Sequence, residues 1–284
     1  MEFHLMRNNK VFKSTDIYAD NLDELIESAI RNIHKTGEVV ETRAGKATQA
    51  YNINYILKNP KNRLHTLREG AIRYLCRELI AYFKGSLKAD DGLIYASKFW
   101  RTLADDNGYI NSNYGYYVFH EPISYSNNQY QWVIDCITKN RHTRRALINI
   151  NNINHKTDTK DFPCTVGILF YIKDNMLFSE VLSRSTDVIT GLPYDMGFFS
   201  FIHELVYTDL IEKGIENLSL GYSIMKTTFT QVYEKTEHKA SEVLNAQYKN
   251  LKMPSITSAS ETINDIINNT KNSEIIRWIY ENAK

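Results

Sequence analysis

Of the three cysteines in the 284-residue sequence, Cys76, Cys136 and Cys164, only Cys164 follows a proline and opens an apolar run. A thiol so placed reads either as a nucleophile or as a small buried hydrophobe. Glu78 poses a similar choice, because it lies close to the apolar stripe of a helical pattern. A carboxylate there is costly unless it has partners or works as an acid or base, although many such residues simply sit at the stripe's rim. The segment Glu41-Thr42-Arg43-Ala44-Gly45-Lys46-Ala47-Thr48 combines two cations with a glycine. It could wrap an anion with side chains and backbone amides, or sit as a solvated loop. Asp195 stands where an apolar helix would begin and reads as its N-cap.

The elements that must position these groups follow from apolar spacing. Asn21 caps a helix with Leu22, Leu25, Ile26, Ala29, Ile30 and Ile33 on one face, ending near Gly37. A second helical period runs over residues 66 to 84, through Leu67, Ala71, Ile72, Leu75, Leu79, Ile80 and Phe83, and stops at Gly85. Two strands, Cys164 to Ile172 and Met176 to Leu182, flank a hairpin turn at Lys173-Asp174-Asn175. The polar cluster Ser183 to Asp187 and the segment Gly191 to Asp195 come next, followed by an apolar helix from Met196 to about Ile211. Residues 255 to 262 read as a linker, and residues 263 to 282 as one amphipathic helix. This alternation predicts an α+β fold, with one catalytic domain over residues 1–254 and a C-terminal helical extension over 255–284.

Composition narrows the partners. With 34 Lys and Arg against 33 Asp and Glu, the net charge is +1, so no broad footprint for a nucleic-acid polyanion exists and none is expected as a partner. No run of about 18 uncharged apolar residues occurs, and MEFHLMRNNK lacks an apolar stretch after its basic residues, so a cytoplasmic protein is expected. An odd cysteine count without CxxC spacing argues against a disulfide framework or a zinc site, and no metal is expected. The 19 Tyr and 12 Phe are scattered without a basic stripe, which suits core and rim positions better than base stacking.

Six ordered blocks resemble the thymidylate synthase superfamily, from about residue 20 to about residue 235, whereas the last fifty residues do not match. Arg43-Ala44-Gly45-Lys46-Ala47-Thr48 resembles that family's Arg-Thr-Gly phosphate loop. Glu78-Leu79-Ile80-Ala81-Tyr82-Phe83-Lys84-Gly85 resembles its Glu-Leu-Leu-Trp-Phe-Leu-x-Gly helix, and Phe99-Trp100 through Tyr114-Gly115 resembles its Trp…Tyr-Gly segment. Thr143-Arg144-Arg145 resembles Ser-Arg-Arg, and Pro163-Cys164 resembles Pro-Cys-His. The most specific block is Arg184-Ser185-Thr186-Asp187…Gly191-Leu192-Pro193-Tyr194-Asp195, which is similar to Arg-Ser-x-Asp…Gly-Leu-Pro-Phe-Asn.

The resemblance implies a mixed sheet flanked by helices and a homodimer through the sheet, with Arg144 and Arg145 reaching across the interface. It implies a pyrimidine nucleoside monophosphate as substrate and methylenetetrahydrofolate as one-carbon donor. Cys164 would add to carbon 6 of the pyrimidine and make carbon 5 nucleophilic, its pKa lowered by a cation such as Arg184. Glu78 would manage protons around the base. Arg43, Arg144, Arg145, Arg184 and Ser185 would hold the phosphate, with Tyr114 and Tyr233 also on the nucleotide; Trp100, Asp187 and Gly191 would face the folate.

Asp195 replaces the family's base-reading asparagine, and a protonated carboxyl can both accept from cytosine's amino group and donate to its ring nitrogen. The same change marks the phage-type deoxycytidylate hydroxymethylases and the related cytidylate hydroxymethylases, so a 5-hydroxymethyltransferase acting on dCMP or CMP is expected. Thymidylate synthesis on dUMP and a non-catalytic nucleotide-binding relative are the alternatives. Three departures surround the chemistry: Thr165 for the family's His, Ser183 for its Gln, and Gln231 for the His of His-x-Tyr. The C-terminal segment also lacks the family's apolar tail, which suits hydration of the reaction intermediate better than its reduction.

Overall fold

The computed structural model describes residues 13–284, so the reading of the extreme N-terminal segment concerns residues outside that range. Its strands are β1 (Thr15–Ala19), β2 (Glu38–Thr42), β3 (Gly45–Leu57), β4 (Leu147–Asn149), β5 (Thr165–Lys173), β6 (Met176–Asp187) and β7 (Ser219–Tyr233). They form one sheet in the order β1-β3-β7-β6-β5-β4, with β2 paired to β3. The β1·β3 and β6·β7 pairs are parallel and the rest antiparallel. The helices are α1 (Leu22–Thr36), α2 (Ala71–Lys84), α3 (Trp100–Leu103), α4 (Gln129–Lys139), α5 (Leu192–Glu212), α6 (Glu237–Asn245), α7 (Ala259–Asn268) and α8 (Glu274–Asn282). This is the expected α+β class, a mixed sheet flanked by helices.

Apolar faces meet where the spacing requires. Asn21 accepts the amide of Glu24 at 2.9 Å to start α1, and Leu25, Ile26, Ile30 and Ile33 are all fully buried. Each such side chain contributes about 1.5–3 kcal/mol through burial. Helix α5 is buried around most of its circumference, through Phe198, Phe199, Phe201, Ile202 and Leu205, and therefore runs through the core rather than over it. Strand β6 alternates buried Leu177, Ser179, Val181 and Ser183 with more accessible Phe178, Glu180 and Leu182. The buried set faces α5, whose His203 bonds Ser223 Oγ of β7 at 2.8 Å and the Leu177 carbonyl at 2.9 Å. The turn at Asp174 and Asn175 is the expected hairpin, both residues adopting positive φ (51° and 58°).

Tertiary pairing corrects several expectations. Residues 45–48 belong to a strand: β2 and β3 make a hairpin with Arg43 and Ala44 at its turn, because Thr42 pairs with Gly45. The second helix begins at Ala71 rather than residue 66, since Gly70 is left-handed (φ 71°) and Thr66 is tied to Asp23 through its amide (2.7 Å) and hydroxyl (2.5 Å). The polar cluster Ser183 to Asp187 continues β6, held by pairing with Thr227 to Gln231 of β7. Asp195 is not an N-cap; Gly191 occupies that place and Asp195 lies in the first turn of α5.

The C-terminal region also differs from its reading. Residues 263 to 282 are not one helix, because Asn269 turns left-handed (φ 53°) and the Asp265 carboxylate gathers the amides of Asn272 (2.9 Å) and Ser273 (2.7 Å). The segment read as a linker is pinned to α5, the Ile256 amide donating to Glu204 (3.1 Å) and the Ala259 amide to Glu212 (2.7 Å).

Helix α2 and the segment after Tyr114 meet backbone to backbone, so closely that a Cβ added at Gly115 would collide with the carbonyl oxygen of Tyr82. Gly115→Ala should destabilise the fold by about 1–3 kcal/mol or more, the range for overpacking, because backbone cannot rotate aside. Urea unfolding at constant m-value measures it; an unchanged midpoint would show that the two segments separate freely.

Candidate active site

Where β5, β6 and β7 meet α2 and α5, a cavity of about 1280 Å³ opens. Single small-molecule sites typically occupy roughly 300–1,000 Å³, so this one has room for a nucleotide and a second ligand. Cys164 enters from the start of β5, Glu78 from the inner face of α2, and Asp195 from the first turn of α5. Arg184, Ser185 and Asp187 come from the end of β6, Arg43 from the β2–β3 turn and Tyr233 from the end of β7. Trp100, Tyr114 and Gly191 also line it. Arg144 and Arg145 do not: both are exposed on the segment leading into β4 and stay outside the cavity of their own chain.

Cys164 is gripped through its backbone. Its carbonyl accepts from the Arg184 amide (2.9 Å) and from Ser183 Oγ (3.2 Å). The Arg184 side chain folds back onto the same segment, Nε donating to the Pro163 carbonyl (3.2 Å) and Nη2 to that of Phe162 (2.7 Å), with the guanidinium 5.1 Å from the Phe162 ring centroid. Asp161 anchors the other side by accepting the amides of Asn111 (2.7 Å) and Ser112 (2.8 Å). The expected depression of the thiol pKa is not what this environment produces. Burial pushes the Cys164 thiol up to about 11; Arg184 opposes that shift, while Asp195 and Asp161 add to it. Desolvation of the half-buried sulfur outweighs one cation.

The carboxyls behave alike for the same reason. Burial, and then the charge of Asp195, raise Glu78 to about 8, while Tyr74 Oη donates to Glu78 Oε1 at 3.1 Å and moderates the shift. Burial raises Asp195 to about 7. At neutral pH both groups therefore carry protons much of the time, which suits proton donation to a base. Tyr74 in turn accepts from Trp100 Nε1 at 3.4 Å, and its ring packs 4.2 Å from that of Tyr194.

One corner of the cavity combines Arg43, Arg184 and Ser185. Arg43 is exposed and donates to the Lys160 carbonyl at 3.0 Å, which folds it toward the Cys164 segment. Gln231 Nε2 bridges Ser185 Oγ (3.0 Å) and Tyr233 Oη (3.3 Å). Asp187 spends its carboxylate on the amides of Ile189 (2.7 Å) and Thr190 (3.1 Å) and on Thr190 Oγ1 (2.8 Å). Sequence reasoning missed Tyr74 and the cavity-lining role of Tyr82. Their positions four residues either side of Glu78 were the available signal, since such spacing stacks side chains on one helix face.

A family model described as thymidylate synthase matches residues 18–280 of the chain. The chain belongs to the thymidylate synthase family. The match runs past the last motif block and takes in α7 and most of α8, so the family's extent exceeds that of the recognisable motifs. The chain is 27% identical to a thymidylate synthase of Fusobacterium nucleatum over 241 residues, 81% of this chain and 83% of that protein. It is 26% identical to a thymidylate synthase of Buchnera aphidicola over 186 residues, 62% of this chain and 69% of that one. It is also 29% identical to the deoxycytidylate 5-hydroxymethyltransferase of phage T4 over 142 residues, 48% of this chain and 56% of that protein. This thymidylate synthase relative is a one-carbon transferase of nucleotide and folate metabolism. No helix among its described residues is long and apolar enough to cross a membrane.

The raised carboxyl has a sign that can be checked. Below about pH 4 Asp195 is protonated in the folded and unfolded chains alike; as pH rises to about 7 only the unfolded chain ionises, so the fold loses stability. Asp195→Asn should therefore melt higher than the parent at about pH 8, with the gap closing toward about pH 4. Equal melting temperatures at both pH values would contradict the burial of this charge. The Cys164 thiol should likewise alkylate slowly with iodoacetamide at neutral pH and accelerate up to about pH 11.

Proposed function

We propose that this chain is a pyrimidine nucleotide 5-hydroxymethyltransferase that acts on the monophosphate of a cytosine nucleoside, CMP or dCMP. The observation that carries the reading is Asp195, enclosed beside Glu78 with its carboxyl held protonated up to about pH 7. In that form its carbonyl oxygen accepts from the cytosine amino group and its hydroxyl donates to the ring nitrogen. The protonated carboxyl can also pair with uracil, so discrimination comes from the ionised fraction above about pH 7: that carboxylate still accepts from the cytosine amino group but repels uracil's carbonyl oxygen. Similarity to a protein named deoxycytidylate 5-hydroxymethyltransferase supports the reading.

The chain's own residues divide the work. Cys164 adds to carbon 6 of the base, which turns carbon 5 into a nucleophile; Arg184 favours the thiolate against burial and holds the segment that carries it. Glu78 exchanges protons at the base edge. Arg43, Arg184 and Ser185 bind the phosphate, and Tyr233, fixed by Gln231, meets the sugar. The residues present fit methylenetetrahydrofolate: the cavity exceeds a nucleotide in volume, and half-buried Trp100 offers an aromatic face beside Asp187 and Gly191. When bound, that group supplies a one-carbon unit at the oxidation level of formaldehyde.

Arg144 and Arg145 complete the phosphate site of a second copy. The outward face of the sheet exposes Leu147, Val166 and Leu182 beside them, an apolar face suited to a partner sheet. The pairing of two such faces makes the active form a homodimer.

Two assays test this. Incubation with CMP, dCMP, dUMP and UMP plus methylenetetrahydrofolate, with products weighed, should yield a hydroxymethyl group on a cytosine nucleotide and tetrahydrofolate. The names of most relatives favour a second reading, methylation of dUMP, and a methyl product with dihydrofolate would establish it instead. Mixing Cys164→Ser chains with Arg144→Ala/Arg145→Ala chains should restore activity that neither has alone, because one site of the mixed dimer is then intact. No restoration would remove the two arginines from the partner's site.

A further inference from the structure

Helix α2 presents three polar side chains to the cavity one turn apart, Tyr74, Glu78 and Tyr82. Residues at this spacing stack on one helix face, so two phenols bracket the carboxylate. Tyr74 is fixed on both sides, donating to Glu78 Oε1 at 3.1 Å and accepting from Trp100 Nε1 at 3.4 Å. Tyr82 is held differently. Its ring is clamped between Tyr114, with centroids 5.7 Å apart, and Phe198, at 4.5 Å. Its hydroxyl has no hydrogen-bond partner among the described residues, and Glu78 is the charge that bears on it most. A phenol so placed on a cavity wall donates to whatever occupies the cavity. Tyr82 stands where the resembled family motif has Phe.

We propose that Tyr74 and Tyr82 are positioning residues that seat a water molecule between the Glu78 carboxylate and the exocyclic carbon on carbon 5, and so direct the site to hydration. This rests on the hydroxymethyltransferase reading. In the step they serve, the water oxygen bonds the exocyclic carbon and its proton passes to the ionised form of the Glu78 carboxylate. The exocyclic double-bond pair moves into the ring as the C5–C6 double bond, and the C6–sulfur bond breaks with its pair leaving on Cys164. Tyr74 orients the carboxylate that takes the proton; Tyr82 orients the oxygen. Neither touches the reacting carbon.

The test uses the full chain, its Tyr82→Phe and Tyr74→Phe variants, and the cytosine nucleotide that the parent accepts, labelled with tritium at carbon 5. Tritium release precedes the water step, and hydroxymethyl product comes after it. In a single turnover Tyr82→Phe should release tritium at the parent rate and form product about ten-fold more slowly, the scale of one hydrogen bond at a reacting group, with nucleotide KM within about two-fold. Tyr74→Phe should shift the Glu78 limb of the kcat/KM profile to higher pH, because it removes a donor to the ionised carboxylate. Equal slowing of tritium release and product in Tyr82→Phe would mark a structural role and overturn the proposal. So would parent rates and pH profile in both variants. A parent enzyme that only methylates dUMP fails the hydroxymethyltransferase reading itself, before any variant is compared.

Discussion

Two carboxyl groups share one cavity, and the packing that buries them sets the chemistry of the site. Glu78 stands on α2 and Asp195 on α5, and each would ionise freely in water. Burial raises both, and the charge of Asp195 raises Glu78 further. The two helices that carry them are packed together, α5 drawn so close to α2 at Gly197 that a Cβ there would lie 2.7 Å from Leu75 Cδ1. The rings of Tyr74 and Tyr194 close the same seam at 4.2 Å. Burial among these packed helices is what raises both carboxyls toward neutral pH.

The thiol is governed by the same enclosure. Arg184 was the natural candidate for depressing its pKa, yet the guanidinium donates to the carbonyls of Phe162 and Pro163 and lies over the Phe162 ring. Its side chain straps down the segment that carries Cys164 while its charge only partly offsets burial. A thiol kept mainly protonated in the free protein is protected from oxidation and alkylation. With Asp161 on the opposite side, the strap places the sulfur at the end of a strand without any bond to the sulfur itself.

The departures from the family pattern have structural reasons of the same kind. Ser183 is turned inward along β6 and shares its one hydroxyl hydrogen between the Cys164 and Ser185 carbonyls, so it bolsters backbone rather than lining the cavity. Thr165, the first residue of β5 and next to Cys164, leaves its buried hydroxyl without a hydrogen-bond partner among the described residues. Gln231 replaces a ring nitrogen with an amide and ties Ser185 to Tyr233. Of the three, only Gln231 lines the cavity; Thr165 and Ser183 are buried behind it.

By itself the sequence determined the elements whose signals are local: the Asn21-capped helix, the hairpin at Asp174 and Asn175, and the apolar helix through the core. It also determined which residue types stand in the cavity, because motif order and spacing are written along the chain. It misplaced the start of α2, the strand character of residues 45–48 and 183–187, and the break between α7 and α8. In each case distant groups decide: Asp23 captures Thr66, β7 pairs with the polar end of β6, and Asp265 caps the start of α8. Only the tertiary structure decided the protonation of Cys164, Glu78 and Asp195, since desolvation depends on everything packed around a group and not on its neighbours in sequence. It likewise joined Tyr74 and Tyr82 to the cavity and left Arg144 and Arg145 outside it, because which face of an element turns inward is settled by what that face packs against.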